Sequence, residues 1–297
     1  MRYICHRPIN LWLIGRLYFF DIFLMGGVGM NSELMTEFKS KQRELWTLGN
    51  FGDMAVFTTP VAGHLVRYAR VTGGQRVLDV GTGTGVVAIT ARNTGARVSA
   101  LDLTPALLAQ AKESGSVAGH DDIDWHEGDA EELPFADASF DVVLSQFGHM
   151  FAPRPEIALS EMLRVLKPGG TIAFATWPGE QLIGRLFSLN AKYTPPPQGV
   201  ASPVQWGDVA IVRQRFGESV KQFHVERGIM GIPTLSPKHL RLFLEAKTGP
   251  FIQTAKALQH EPEKLKSWRD ETDEMLREYL YGNVVHHEYL LTRAIKL

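Results

Sequence analysis

The stretch Val77-Leu78-Asp79-Val80-Gly81-Thr82-Gly83-Thr84-Gly85 constrains this chain more than any other. Residues 75–80 read as a short buried strand, apolar with one acid near its end, and Val86-Val87-Ala88-Ile89-Thr90-Ala91 starts a helix-like run. A strand, a glycine-rich turn and a helix start together make a place where backbone can approach a ligand closely. The spacing is Gly81-x-Gly83-x-Gly85, with Val86 at the position where a dinucleotide-binding turn needs glycine. Asp79 sits just before the loop, where a carboxylate repels a pyrophosphate but suits a cationic or amino-bearing ligand.

Two further acids follow at the ends of predicted strands. Arg97-Val98-Ser99-Ala100-Leu101-Asp102 alternates and ends in a carboxylate about twenty residues after the loop, where α/β cofactor folds place an acceptor for ribose hydroxyls. Leu103-Thr104-Pro105 then opens a helix, with Thr104 expected as its N-cap and Pro105 in its first turn. Residues 123–130 form a third strand running into a turn at Gly128-Asp129-Ala130. Glu131-Glu132-Leu133-Pro134-Phe135 comes next, and Phe140-Asp141-Val142-Val143-Leu144-Ser145 is the fourth strand. Gln146, Phe147 and His149 lie just past it, at the sheet end where open α/β sheets bind ligands. Residues 161–170 read as a helix ending in a Lys167-Pro168-Gly169-Gly170 turn, and 171–176 as the fifth strand.

The glycine loop resembles motif I of the class I S-adenosylmethionine-dependent methyltransferases. The block from Gly128 to Val143 is similar to the subgroup that includes the ubiquinone and menaquinone enzymes. The resemblance is specific over roughly the central third of the chain and weakens beyond Trp177-Pro178. It implies a Rossmann-like, doubly wound α/β fold: a seven-stranded, mostly parallel sheet with an antiparallel last strand and a cap insertion. It also implies S-adenosyl-L-methionine as cofactor, held by Asp79, Gly81, Thr82, Gly83 and Gly85 at its amino-acid end. By the same resemblance Asp102 takes the ribose, Leu103 faces the adenine, Asp129 and Ala130 meet the adenine edge, and Gln146 lies by the methionine half. His149 is the one candidate base, as the only group there that titrates near neutrality.

The rest of the chain bounds this reading. Its 297 residues suit one α/β core with an added cap, and a net charge of −1 favours neither nucleic acid nor an anionic membrane as partner. The single cysteine, Cys5, excludes an internal disulfide and fits a reducing, cytoplasmic compartment. Residues 9–28 are rich in Leu, Phe, Trp and Tyr, but Arg16 and Asp21 interrupt them. Each charge near the centre of a membrane span costs about 2.5–3.5 kcal/mol. Residues 1–30 therefore read as a leader upstream of Met30 or Met35, residues 31–70 as an N-terminal helical lid, 71–180 as the cofactor core, and 181–297 as the cap and closing strands. Trp46, Phe51 and Phe57 are lid candidates, and a second helix is expected over 61–71, after Pro60. A sixth strand is expected over 220–229 and a closing antiparallel edge strand over 288–296. His286 and His287 are adjacent in a predicted strand, so they point to opposite faces and do not chelate one metal together. The expected chemistry is methyl transfer to a small-molecule O, N or C acceptor. The alternatives are a nicotinamide-dependent oxidoreductase and a non-catalytic S-adenosylmethionine-binding protein.

Overall fold

The computed structural model describes residues 32–297; the leader expected over residues 1–30 lies outside them. Five parallel strands form first: β1 (Arg76–Val80), β2 (Arg97–Asp102), β3 (Asp124–Glu127), β4 (Phe140–Gln146) and β5 (Leu166–Thr176). Strands β6 (Val220–Pro233), the two-residue β7 (Leu280–Tyr281) and β8 (Val284–Lys296) complete an eight-stranded sheet in the order β3-β2-β1-β4-β5-β8-β6, with β7 paired to β8. The apolar runs of β1, β4 and β5 are buried at consecutive positions, so both faces of the central sheet are covered.

The cover comes from helices whose caps are readable in the chain. Helix α1 (Ser32–Thr47) is followed by α2 (Phe51–Tyr68), which Asn50 opens by accepting the Gly52 N–H. The expected break at Gly49–Asp53 is thus a cap, and α2 continues through Pro60 instead of starting after it. Proline is tolerated there because it is exposed, and the carbonyl it orphans belongs to the exposed Val56. Helices α3 (Val86–Arg92), α4 (Pro105–Val117) and α5 (Pro155–Val165) connect the parallel strands. Thr104 is the N-cap residue of α4, but its side chain makes no capping bond; its backbone N–H instead donates to Asp102 Oδ1 at 2.9 Å. Residues 167–170 are part of β5 as an irregular bulge: Phe140 pairs with Leu166 and Val142 already with Thr171.

The cap comes in two pieces. Helices α6 (Leu182–Tyr193) and α7 (Val209–Phe216) follow β5, while α8 (Pro237–Lys247), α9 (Gly249–Ala257) and α10 (Pro262–Glu278) lie between β6 and β7. The last strand is antiparallel, as expected, but it is not the edge. β8 pairs with β5 on one side and β6 on the other, which leaves β6 outermost. Its burial decides this: Tyr289 to Thr292 are consecutively buried, a pattern that an edge strand with one solvated face would not show.

Candidate functional site

The C-terminal ends of β1, β2 and β4 open into a cavity of about 310 Å³. Its cofactor end is built by the glycine loop. Gly81, Gly83 and Gly85 all have positive φ. A Cβ on Gly81 would lie 2.8 Å from Gly148 Cα, so glycine is needed there for the loop to pack on the turn after β4. At Gly83 a Cβ would meet nothing within 4 Å, and Gly83 lines the cavity. The loop leaves room there for a ligand to lie against backbone.

The three acids divide their work. Asp79 is fully buried beneath the loop, where Oδ2 accepts the Thr82 hydroxyl at 2.6 Å and the Ala88 N–H in the first turn of α3 at 3.1 Å. It does not line the cavity, and its other oxygen has no partner. Burial pushes its carboxyl up to about 7, against the pull of those two donors. Asp102 does line the cavity; it accepts the Gly83 N–H at 2.7 Å through Oδ2 and the Thr104 N–H through Oδ1. Burial raises its pKa as well, with the backbone donors opposing. Each carboxylate oxygen has a second lone pair, so Asp102 retains acceptor capacity toward the cavity. The backbone N–H groups of Thr82, Gly83 and Gly85 are all engaged, to Leu101 O, Asp102 and Thr82 O. The loop therefore offers close approach, and these three N–H groups are not free to cradle a pyrophosphate.

Asp129 lies on the cavity wall beside Ala130. Its Oδ1 accepts the Glu131 N–H, and its Oδ2 accepts Lys39 Nζ at 2.6 Å. Lys39, from α1, also donates to the buried Glu131 at 2.5 Å, and Glu131 is further held by the Arg154 backbone and guanidinium. Gly81, Thr82, Gly83, Asp102, Leu103, Asp129, Ala130 and Gln146 thus converge on one cavity, whereas Asp79 and Gly85 support it from behind.

His149 departs from its expected place. It lies outside the cavity, 1 % exposed, packed 4.6 Å from the Phe174 ring and 4.5 Å from the Trp206 ring. Burial, helped by the positive Arg215, drives its pKa down to about 3. It is a core residue with no path to a substrate. Trp46 and Phe51 do line the cavity, but Phe57 packs on Phe243 instead. Phe147 lines it with φ at +61°, a left-handed conformation that bulky residues rarely adopt, and stacks on Trp177 with ring centroids 3.8 Å apart. The strand-end pattern gave no hint of Lys39, Gln42, Met230 or His287, which reach the cavity from α1, β6 and β8. Only their position relative to distant strands brings them there.

The sheet order defines a Rossmann-like α/β protein with a cavity at its strand ends. A family profile described as a methyltransferase domain matches residues 78–174. An uncharacterized protein of Mycobacterium tuberculosis is 36% identical over 257 residues, which is 86% of this chain and 93% of that protein. The ubiquinone/menaquinone biosynthesis C-methyltransferase UbiE of Rubrivivax gelatinosus is 42% identical over 105 residues, 35% of this chain and 40% of that one. Among solved structures, the YcgJ protein from Bacillus subtilis superimposes with a TM-score of 0.54 at 19% identity, covering 79% of this chain and 97% of its own. This chain belongs to the class I S-adenosylmethionine-dependent methyltransferases of type 11. S-adenosylmethionine is the cofactor, and the open cradle at Gly83, with Asp102 and Asp129 lining the same cavity, fits it.

Proposed function

We propose that the chain transfers a methyl group from S-adenosylmethionine to a small-molecule acceptor held in the apolar half of the same cavity. The observation that carries this is the cavity's continuity. It runs from Gly83, Asp102 and Asp129 past Gln146 and Phe147 to Trp177, Ile183 and Met230. Two ligands can therefore share one continuous cavity, the cofactor at the β1–β3 end and the acceptor toward β5, β6 and β8.

The bound cofactor supplies an electrophilic methyl on a sulfonium. The chain's part is to hold the reactants and to keep water out. Asp102 orients the ribose by accepting its hydroxyls, and Asp129 accepts from the adenine amino group once Lys39 yields that oxygen. Asp79 fixes the loop through Thr82 and the first turn of α3. The aromatic walls exclude solvent and align the acceptor in line with the methyl at about 3–3.5 Å, which alone can account for much of the rate enhancement. UbiE methylates carbon by its name, but its match covers too little of this chain to carry an acceptor over. The acceptor atom is O, N or C.

Calorimetric titration with S-adenosylmethionine, S-adenosylhomocysteine and NADH tests this reading, followed by labelled-methyl transfer to an acceptor panel. Binding of the two sulfur nucleosides without NADH, and label incorporated into a small molecule, is the expected result. NADH binding, or label going only into macromolecules, would refute it. A nicotinamide enzyme has less support, because the N–H groups of Thr82, Gly83 and Gly85 are already engaged, two of them by Leu101 and Asp102 at the end of β2.

A further inference from the structure

The acceptor half of the cavity has a polar end that the cofactor does not account for. Along the C-terminal edge of the sheet, Gln146 closes β4, Trp177 follows β5 and His287 lies in β8, all three lining the cavity. The Phe147–Trp177 stack, with planes 10° apart, stands beside them, and the His287 ring lies 6.4 Å from Trp177. His287 is 1 % exposed, yet neither ring nitrogen has a hydrogen-bond partner. Gln146 donates its amide to Thr58 O at 3.2 Å and leaves its carbonyl oxygen, also buried, without one. Buried polar atoms left this way destabilise the fold. Here they sit on a wall that a ligand would touch.

Two other polar side chains on that wall are satisfied within the chain. Gln42 donates to Phe151 O at 2.8 Å, and Thr248 to Leu244 O at 2.9 Å. Lys39 is the one Lys or Arg among the described lining residues, and it is paired with Asp129 and Glu131. The lining acids, Asp102 and Asp129, belong to the cofactor end. The acceptor half thus presents neither a free cation for a phosphate or carboxylate nor an acid for an ammonium group. Burial, with His286 beside it, lowers the His287 pKa to about 3, so its ring is neutral and offers one lone pair and one N–H.

Building on the methyl-transfer reading above, we propose that His287 forms the hydrogen-bonding end of an acceptor subsite. Its ligand class is a neutral, flat aromatic molecule bearing a hydroxyl or amine N–H. The aromatic stack provides the flat wall, and the His287 ring, with one unpartnered lone pair and one unpartnered N–H, selects for a group that can meet either, as a hydroxyl does.

The test uses the full chain saturated with S-adenosylhomocysteine, with 1-naphthol and naphthalene as probes followed by fluorescence titration. The wild-type chain is expected to bind 1-naphthol at least fivefold more tightly than naphthalene. In His287→Phe the two should bind within twofold of each other while S-adenosylhomocysteine affinity changes less than twofold. Equal binding of the probes by the wild type, no binding of either, or a preference that survives in His287→Phe overturns the subsite. Failure of the wild-type chain to bind S-adenosylhomocysteine overturns the cofactor reading instead, and the probes are then titrated without it. A readout independent of any variant is the ring ¹⁵N resonances of His287 in the wild type. They should shift on addition of 1-naphthol and not of naphthalene, and an unchanged spectrum would count equally against the subsite.

Discussion

Single residues at this site act through what they exclude as much as through what they touch. Gly81 and Gly83 are neighbours in one loop, yet their alanine variants should behave differently. Gly81→Ala drives a Cβ into the backbone of Gly148, and with the left-handed strain it should cost about 3 kcal/mol of stability, read by denaturant unfolding. Gly83→Ala meets no atom, so its stability loss should stay near 1 kcal/mol, while calorimetry should show S-adenosylhomocysteine affinity reduced tenfold or more. Asp102→Ala should weaken the same ligand by a similar factor, since both the ribose contact and the anchor of the Gly83 N–H are lost. Asp79 makes a prediction of opposite character. Its folded-state pKa of about 7 lies above the ordinary carboxylate value of 3.8, so the folded chain binds the extra proton. Stability from this group is full below about pH 4 and is lost as pH rises through 7. Between pH 5 and 8 the wild type should therefore lose on the order of 2 kcal/mol relative to Asp79→Asn. Thermal melts of both proteins across that range read the difference, and parallel curves would contradict it.

At the scale of elements, α1 is the piece whose attachment matters most to ligand entry. It is tied to the core by Lys39 on Asp129 and Glu131, by Gln42 on Phe151 O, and by Trp46 packed 4.6 Å from the Phe151 ring. Lys39→Met removes the charged tie and leaves Glu131 to Arg154 alone. It should cost about 2 kcal/mol and raise hydrogen exchange across residues 33–47, with β1 and β4 unaffected. These elements also mark where the chain was readable. The loop, Asp102 and the Asp129 turn are each set by a few consecutive residues, and their expected convergence appears because strand ends in a parallel sheet share one edge. Asp79 was misplaced because spacing locates it beside the loop without saying which side its carboxylate faces. His149 was misplaced in a similar way: its position past β4 and its near-neutral titration suggested a base, while Phe174 and Trp206 enclose it. The acceptor wall was not legible because it joins α1, α6, β6 and β8, whose residues look like ordinary core until their pairing is known.

For the molecule as a whole, one cavity lined by both sheet and cap residues makes stability and occupancy reciprocal. At a hundred times its Kd, S-adenosylhomocysteine should stabilise the folded chain by about 2.7 kcal/mol and raise Tm by about 4–5 °C, whereas NADH at equal concentration should leave the melt unchanged. Differential scanning fluorimetry distinguishes the two. The position of β8 reaches further than the site. β6 is synthesised well before β8, but β8 is the strand that joins it to β5. On the ribosome, β6 must wait as an unpaired ribbon while the three helices between them emerge, its N–H and C=O groups open to any other nascent strand. A codon choice that slows elongation across α8 to α10 would lengthen that exposure, and the yield of soluble protein would report on translation speed without any change in sequence.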